Sequence, residues 1–368
     1  MTSVQQKTRP RGPWLGAFLL AFLVMAIMAA APGDSFAEPR LPDRVGGVPV
    51  IDALDTDKLS VGRHDFYFAA GWRNSGQPIY VPVIVIKGAH PGKRLLLTAA
   101  VHGDELNGIR VIHRLAAVLK PDQLHGTIVA VPGLNQPGMN ANSRYYVGAS
   151  GGGFQADLNR EFPGATEGGG TAELYAGKLW SHLLRVGTDL AVDLHTQTQG
   201  SAYPLFVFAD FTNPTARAMA FALMPDIIKN DPGEKGTLET TFIEEGIPAV
   251  TFEIGAPKQF QVHKIDRAVA GLENLMVQQG LLKGTVDTPK VPPFVGTSYT
   301  NIYAGVGGIA VLHVGLNDKV EKDQLVATLY DPFGHEIERY YAPHDGRVLA
   351  IATDPLREAG AMLVRILH

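Results

Sequence analysis

The sequence predicts an α/β protein, a central mixed sheet flanked by helices, followed by a small all-β domain. Three observations carry this expectation. Between residues 65 and 281, short apolar runs rich in β-branched residues alternate with stretches of helical periodicity, the pattern of a layered α/β domain. Residues 285–293 then carry three prolines and no helical period, which reads as a linker. From 298 to 368 the chain consists of short strand-like runs, with turn signals at 305–308, 317–318, 331–334 and 345–346. The expected division is a 38–284 α/β domain, a 285–297 linker and a 298–368 all-β domain.

In chain order, residues 38–59 are weakly periodic and read as a leader lying on the surface. Strands are expected at 65–70 and 79–86 (IYVPVIVI), with HPGK at 90–93 as a turn. Residues 95–101 (LLLTAAV) are uncharged throughout, as suits a strand buried on both faces. An amphipathic helix over 105–119 follows, carried by Leu106, Ile109, Ile112, Leu115 and Leu119 and halted at Lys120-Pro121. After a strand at 127–132, the pattern dissolves over 133–170 into Asn, Gly, Ser and Pro, a length of loop that is functional or disordered. Helices are expected at 171–185, 215–224 and 266–281, and strands at 189–194, 203–209 and 247–254.

Composition bounds the function. With 368 residues the chain can bury a sizeable core. A net charge of −4 gives no support for nucleic-acid binding. The absence of cysteine removes disulfides and thiolate metal sites, so a metal would need nitrogen and oxygen ligands. The N-terminus resembles an export signal. Lys7, Arg9 and Arg11 precede an apolar stretch at 14–31, and the small residues Ser35 and Ala37 suit cleavage before Glu38. The expectation is a signal peptide over 1–37 and a periplasmic or secreted protein without a membrane span after cleavage; an uncleaved anchor is the alternative.

Chemistry gathers at strand ends. His102 and Glu105 follow the 95–101 strand in HGDELNG, and His195 follows the 189–194 strand in DLHT. Two imidazoles and a carboxylate make a catalytic zinc set, one ion per chain, with a fourth position left for water. Asp193 can accept the second N–H of a ligating imidazole. Glu253, inside the apolar phrase VTFEIG, is the natural general base. Asn159 and Arg160 in DLNREFPG offer donors for a substrate carboxylate, and Arg144 is a second clamp or an oxyanion stabiliser. Each feature alone has a plain reading, such as a helix-start carboxylate or a structural histidine; the four together favour a site. His113 beside its helix stripe, the remaining histidines and the Glu244-Glu245 pair read as packing or solvated surface. Tyr299, Tyr303, Tyr340 and Tyr341 read as β-domain packing, with one in reach of the mouth of the site.

HGDELNG, DLNREFPG, DLHT and IPAVTFEIG, in that order, resemble the aspartoacylase/succinylglutamate desuccinylase family of zinc hydrolases, related to metallocarboxypeptidases. The resemblance implies a carboxypeptidase-like sheet and zinc on His102, Glu105 and His195. It further implies Glu253 as catalytic base, with contacts to substrate carboxylate and carbonyl from Arg144, Asn159 and Arg160. The implied reaction is hydrolysis of the amide of an N-acyl amino acid or similar carboxylate-bearing small molecule. A carboxypeptidase acting on short or cell-wall peptides and an inactive periplasmic binding protein are the alternatives. Residues 319–326 and 341–348 are similar to the paired hairpins of a biotinyl/lipoyl-type barrel, but the intervening DPFG at 331–334 holds no carrier lysine.

Overall fold

The computed structural model describes residues 41–149 and 152–368. The signal-peptide reading of 1–37 therefore lies outside the described residues. Among them, no helix is long and apolar enough to cross a membrane.

The expected central sheet is present and mixed. Its first strands are β1 (Arg44–Val45), β2 (Val48–Ile51), β3 (Gly62–Trp72), β4 (Pro78–Lys87), β5 (His90–Ala99) and β6 (His125–Pro132). After a small hairpin, β7 (Tyr146–Gly148) and β8 (Phe154–Ala156), come β9 (Leu190–His195), a short β10 (Ser201–Ala202), β11 (Leu205–Ala209), β12 (Ile227–Asn230), β13 (Ala249–Ile254) and β14 (Phe294–Gly296). The order across the sheet is β1-β2-β3-β4-β6-β5-β9-β13-β11-β12-β14. Strands β6, β5, β9 and β13 are mutually parallel neighbours, so their carboxyl ends lie at one edge, where such sheets hold their ligands.

Helices cover both faces, which explains why β5 is apolar at consecutive positions. Leu95, Leu97 and Ala99 pack with α1 (Asn107–Val118), α4 (Pro214–Ala222) and α6 (Val262–Gln278). Leu96 faces the other way, toward α3 (Thr171–Leu179) and α5 (Leu238–Glu244). A short α2 (Gln136–Asn140) lies in the long irregular region and is capped by Asn135, whose side chain accepts from Gly138 N. The helix expected over 171–185 is α3 continued by one widened turn, Trp180–Leu184. The leader expected to lie on the surface supplies instead the edge strand β1 and its neighbour β2.

Of the expected linker 285–297, residues before Phe294 are irregular and Phe294–Gly296 form β14, paired parallel to β12. The remaining strands are β15 (Tyr299–Tyr303), β16 (Gly308–Leu312), β17 (Lys319–Val320), β18 (Leu325–Tyr330), β19 (Glu336–Tyr341), β20 (Gly346–Ala352), β21 (Leu356–Arg357) and β22 (Met362–Leu367). They form two antiparallel sheets, β10-β20-β22-β15 with β17 beside β20, and β19-β18-β16-β21. The sheets share a core that includes Val320, Val326, Leu329, Val348, Leu363 and Ile366.

This β-rich region is built onto the α/β part. Strand β10 belongs to the loop after β9 yet pairs with β20, Ser201 opposite Ala352. A shared apolar cluster joins Phe206 of β11 and Ile227 of β12 to Leu349, Ala350 and Leu367. Residues Leu41–His368 accordingly form one compact unit.

Helix α1 is set close against β9 by Gly108, where a Cβ would lie 2.7 Å from Leu194 Cβ. Alanine normally favours a helix over glycine by about 1 kcal/mol, but here it overpacks a buried contact beside His195. Gly108→Ala is expected to lower stability by about 1–3 kcal/mol in urea denaturation. A neutral or stabilising result would contradict this close approach.

Candidate active site

Register brings the chemical residues together. Ala99 at the end of β5 pairs with Leu194, and His195 pairs with Glu253 across β9 and β13. Paired residues on adjacent strands point to the same side, so the side chains of His195 and Glu253 enter the same space. His102 and Glu105 reach it from the turn between β5 and α1, and all four residues are buried.

Glu105 is the centre of the arrangement. Its Oε1 lies 2.9 Å from His102 Nδ1, and its Oε2 lies 3.1 Å from His195 Nδ1. The two rings meet edge to face, with centroids 4.9 Å apart. On the far side of each ring an aspartate waits: His102 Nε2 is 3.0 Å from Asp157 Oδ1, and His195 Nε2 is 2.7 Å from Asp193 Oδ2. Asp193 is itself fixed by the Thr98 hydroxyl, which donates to Oδ1 at 2.7 Å. Each imidazole can thus donate Nε2–H to a carboxylate, which leaves Nδ1 directed at Glu105 and, once deprotonated, free to ligate a metal.

The donor set fits a metal ion on its own geometry. One ligand atom from each of His102, Glu105 and His195 lies within 4.8 Å of the others. His102 Nδ1 is buried and makes no hydrogen bond, although Glu105 Oε1 is near. The two groups aim at a common point more than at each other, as ligands of a third body do. Two nitrogens and a carboxylate oxygen suit zinc.

Electrostatics agrees with the geometry. Burial works against ionising Glu105, but His102 and His195 outweigh it and hold the carboxyl far below the usual carboxylate range. Burial likewise opposes the Asp157 charge, which His102, Arg144 and Arg160 restore. Glu253 behaves differently. Burial, with Glu105 adding to it, pushes its carboxyl up to about 8 against the pull of His195 and Arg144. Its Oε2 is buried and has no hydrogen-bond partner. A carboxyl that titrates near neutrality with a free oxygen is equipped to exchange a proton.

The expected substrate contacts line the same cavity, about 340 Å3 in volume, together with His102, His195 and Glu253. Arg144 donates to Glu105 Oε1 at 3.1 Å and to Asp157 Oδ2 at 3.2 Å. Asn159 accepts from Leu238 N at 2.8 Å and so fixes the start of α5. Arg160 pairs with Glu234 at 2.7 Å. These arginines are engaged within the protein, a feature that composition and spacing do not reveal.

Several residues in or around the site escaped the sequence reading. Asp157 opens the DLNR motif, yet its place behind His102 was not foreseen; the DLHT motif, with its aspartate two residues before a histidine, offered the parallel. Tyr203, Glu239 and Arg365 also line the cavity. Tyr299 does so too, the tyrosine of the β region that reaches the site. Nothing in their local sequence marks them.

Glu239 is buried and accepts a long hydrogen bond from the Thr251 hydroxyl at 3.5 Å. Burial, reinforced by Asp231, Asp193 and Asp210, raises its carboxyl well above the ordinary 4.5. Folding therefore favours the protonated form. That contribution is fully present below about pH 4.5 and declines by up to about 1.4 kcal/mol per pH unit as pH rises toward the folded-state pKa. Glu239→Gln, which mimics the neutral acid, should match the wild type in melting temperature at pH 4.5 and exceed it increasingly toward pH 7. A constant difference across that range would show that Glu239 ionises freely.

Comparison with known proteins completes the description of the site. The succinylglutamate desuccinylase/aspartoacylase catalytic domain matches residues 91–278. The N-alpha-acetyl-L-2,4-diaminobutyric acid deacetylase of Halomonas elongata is 26% identical over 286 residues, 74% of this chain and 81% of that protein. The product-bound ectoine utilization protein EutE (DoeB) of Ruegeria pomeroyi superposes with a TM-score of 0.72 at 25% identity, over 83% of this chain and 95% of its own. A succinylglutamate desuccinylase/aspartoacylase from Rhodobacter sphaeroides shares the fold, with a TM-score of 0.72 at 22% identity over 86% and 98% of the two chains. The matched span holds the two histidines, Glu105, Glu253 and the three cavity residues Arg144, Asn159 and Arg160, and on that match the chain belongs to the succinylglutamate desuccinylase/aspartoacylase family.

Proposed function

We propose that this protein is a zinc-dependent amidohydrolase that removes the acyl group from an N-acyl amino acid or a similar small molecule bearing a carboxylate. The observation that carries this reading is the convergence of His102 Nδ1, His195 Nδ1 and the Glu105 carboxylate beside a cavity that both histidines and Glu253 line. The Halomonas relative is named for deacetylating an Nα-acetyl diamino acid, which supports the substrate class.

Zinc held by His102, Glu105 and His195 supplies Lewis acidity and lowers the pKa of water. Asp157 and Asp193 keep the two rings in the tautomer and orientation that binding needs. Glu253 takes a proton from the attacking water and passes it to the leaving nitrogen. The C–N bond breaks as the water oxygen joins the acyl carbon, giving a carboxylate and an amine. Arg144, beside Glu105, places positive charge where the carbonyl oxygen gains negative charge. Asn159, Arg160 and Arg144 contribute donors to the bound substrate.

In this reading the C-terminal sheets form a barrel-like module that walls the cavity and carries no prosthetic group, since Asp331–Gly334 between β18 and β19 lacks a lysine. A wall of this kind favours small substrates over peptides. The protein acts outside the cytoplasm, on the strength of the basic and apolar N-terminal pattern ending at Ala37.

Two measurements check these assignments. Assayed on a panel of N-acetyl amino acids and short peptides, the zinc-loaded protein should release free amino acid from the former. Glu253→Gln should retain stoichiometric zinc and lose roughly 10²–10⁴-fold in kcat, whereas His102→Ala should lose both metal and turnover. Activity on peptides alone, or an active Glu253→Gln, contradicts the reading. For export, N-terminal sequencing of protein recovered from the periplasm or medium should begin at Glu38; protein kept intact in the membrane fraction would support the anchor instead.

A further inference from the structure

The cavity wall contains three arginines, Arg144, Arg160 and Arg365, and their charges are not equally satisfied. Arg144 is paired with Glu105 and Asp157, and Arg160 with Glu234. Arg365 donates instead to neutral oxygens, through Nε to Asn301 Oδ1 at 2.7 Å and through Nη1 to the Tyr203 hydroxyl at 2.7 Å. Its guanidinium stacks on Tyr299, 4.3 Å from the ring centroid. It has no ion-pair partner among the described residues.

The fold invests in this position. Arg365 sits within β22, opposite Asn301 of β15 on one side and Ala350 of β20 on the other. The β20–β10 pairing and the shared cluster around Phe206 and Leu367 anchor that sheet to the loop following His195. The guanidinium is therefore held on a rigid element, in a fixed plane, at the wall of the site. The partner hydroxyl of Tyr203 is kept protonated, its pKa raised by burial.

We propose that Arg365 is the anion-binding residue of the cavity, receiving a carboxylate of the substrate, so that the C-terminal β region supplies part of the binding site. The proposal rests on the hydrolase reading for the identity of that carboxylate, which is the amino-acid half of the N-acyl amino acid. Two of the five guanidinium donors are used within the protein, leaving three for a planar, bidentate partner. A charge half removed from water and without a counter-ion attracts such a partner more strongly than an exposed arginine does. Arg144 and Arg160 cannot offer an uncompensated charge without first releasing Glu105, Asp157 or Glu234.

The test pairs a substitution with a change in the ligand. The probes are Nα-acetyl-L-2,4-diaminobutyrate and its carboxamide, assayed with the full, zinc-loaded protein. Wild type should show a KM for the acid roughly 10- to 100-fold below that for the carboxamide. Arg365→Gln should raise the KM for the acid by a similar factor, change kcat less, and leave the carboxamide nearly unaffected; Arg365→Lys should recover part of the loss. Equal losses on both probes, or no preference in the wild type, would overturn the proposal. Should Arg365→Gln fail to fold, the wild-type preference and the Arg365→Lys variant decide. Calorimetric titration of both probes into Glu253→Gln protein, with and without Arg365→Gln, reads the same preference without turnover. A protein that binds the acid selectively but hydrolyses neither probe would sink the hydrolase reading and leave the anion site standing. One that binds both alike, or neither, would sink the anion site.

Discussion

A buried carboxylate lies at the root of this structure. Glu105 is almost wholly removed from water, and an ionised carboxylate there is tolerated only if its charge is met on every side. His102 and His195 face its two oxygens, Arg144 donates to one, and the backbone N–H of Thr196 donates to the other at 2.9 Å. Each of those partners is secured in turn, the histidines by Asp157 and Asp193 and Arg144 by Asp157 as well. These contacts hold in place the three side chains that could ligate a metal ion. Glu253 stands outside that network, and burial, with Glu105 nearby, is why its own carboxyl resists ionisation and is suited to proton transfer.

The position of these side chains follows from strand register. Because β5, β9 and β13 run parallel with their ends level, three separate segments reach one point without a long excursion of the chain. The loop after His195 then does a second task. By contributing β10 to a sheet of the C-terminal region, it ties the wall of the cavity to the strand that carries a candidate ligand. Cavity-lining residues from the β region, Tyr299 and Arg365, are thereby placed relative to His195 through one short pairing and an apolar cluster.

How much of this was legible in the chain depended on whether the cause was local. Burial of β5 on both faces leaves an apolar run, and α1 leaves a helical stripe, so both are visible as patterns. His102, Glu105, His195 and Glu253 stand out because each interrupts an apolar context at a strand end or within a strand. Strands toward the margins of the sheet, such as β2, β12 and β14, left little trace, since their existence depends on partners elsewhere in the chain. Charge pairing is equally non-local. Arg160 looks free in DLNREFPG but meets Glu234, while Arg365, in the mostly apolar strand β22, meets no carboxylate among the described residues. Asp157 and Glu239 acquire their character from burial beside other charges, which no window of sequence contains.

The central claim is that His102, Glu105 and His195 together hold one catalytic zinc ion. Anomalous diffraction from crystals of the zinc-loaded protein at the zinc edge tests it most directly. The account expects a single strong peak per chain, bounded by His102 Nδ1, His195 Nδ1 and the Glu105 carboxylate, with Glu253 nearby but not ligating. A peak elsewhere, or zinc-saturated protein with no peak between these three residues, would contradict it.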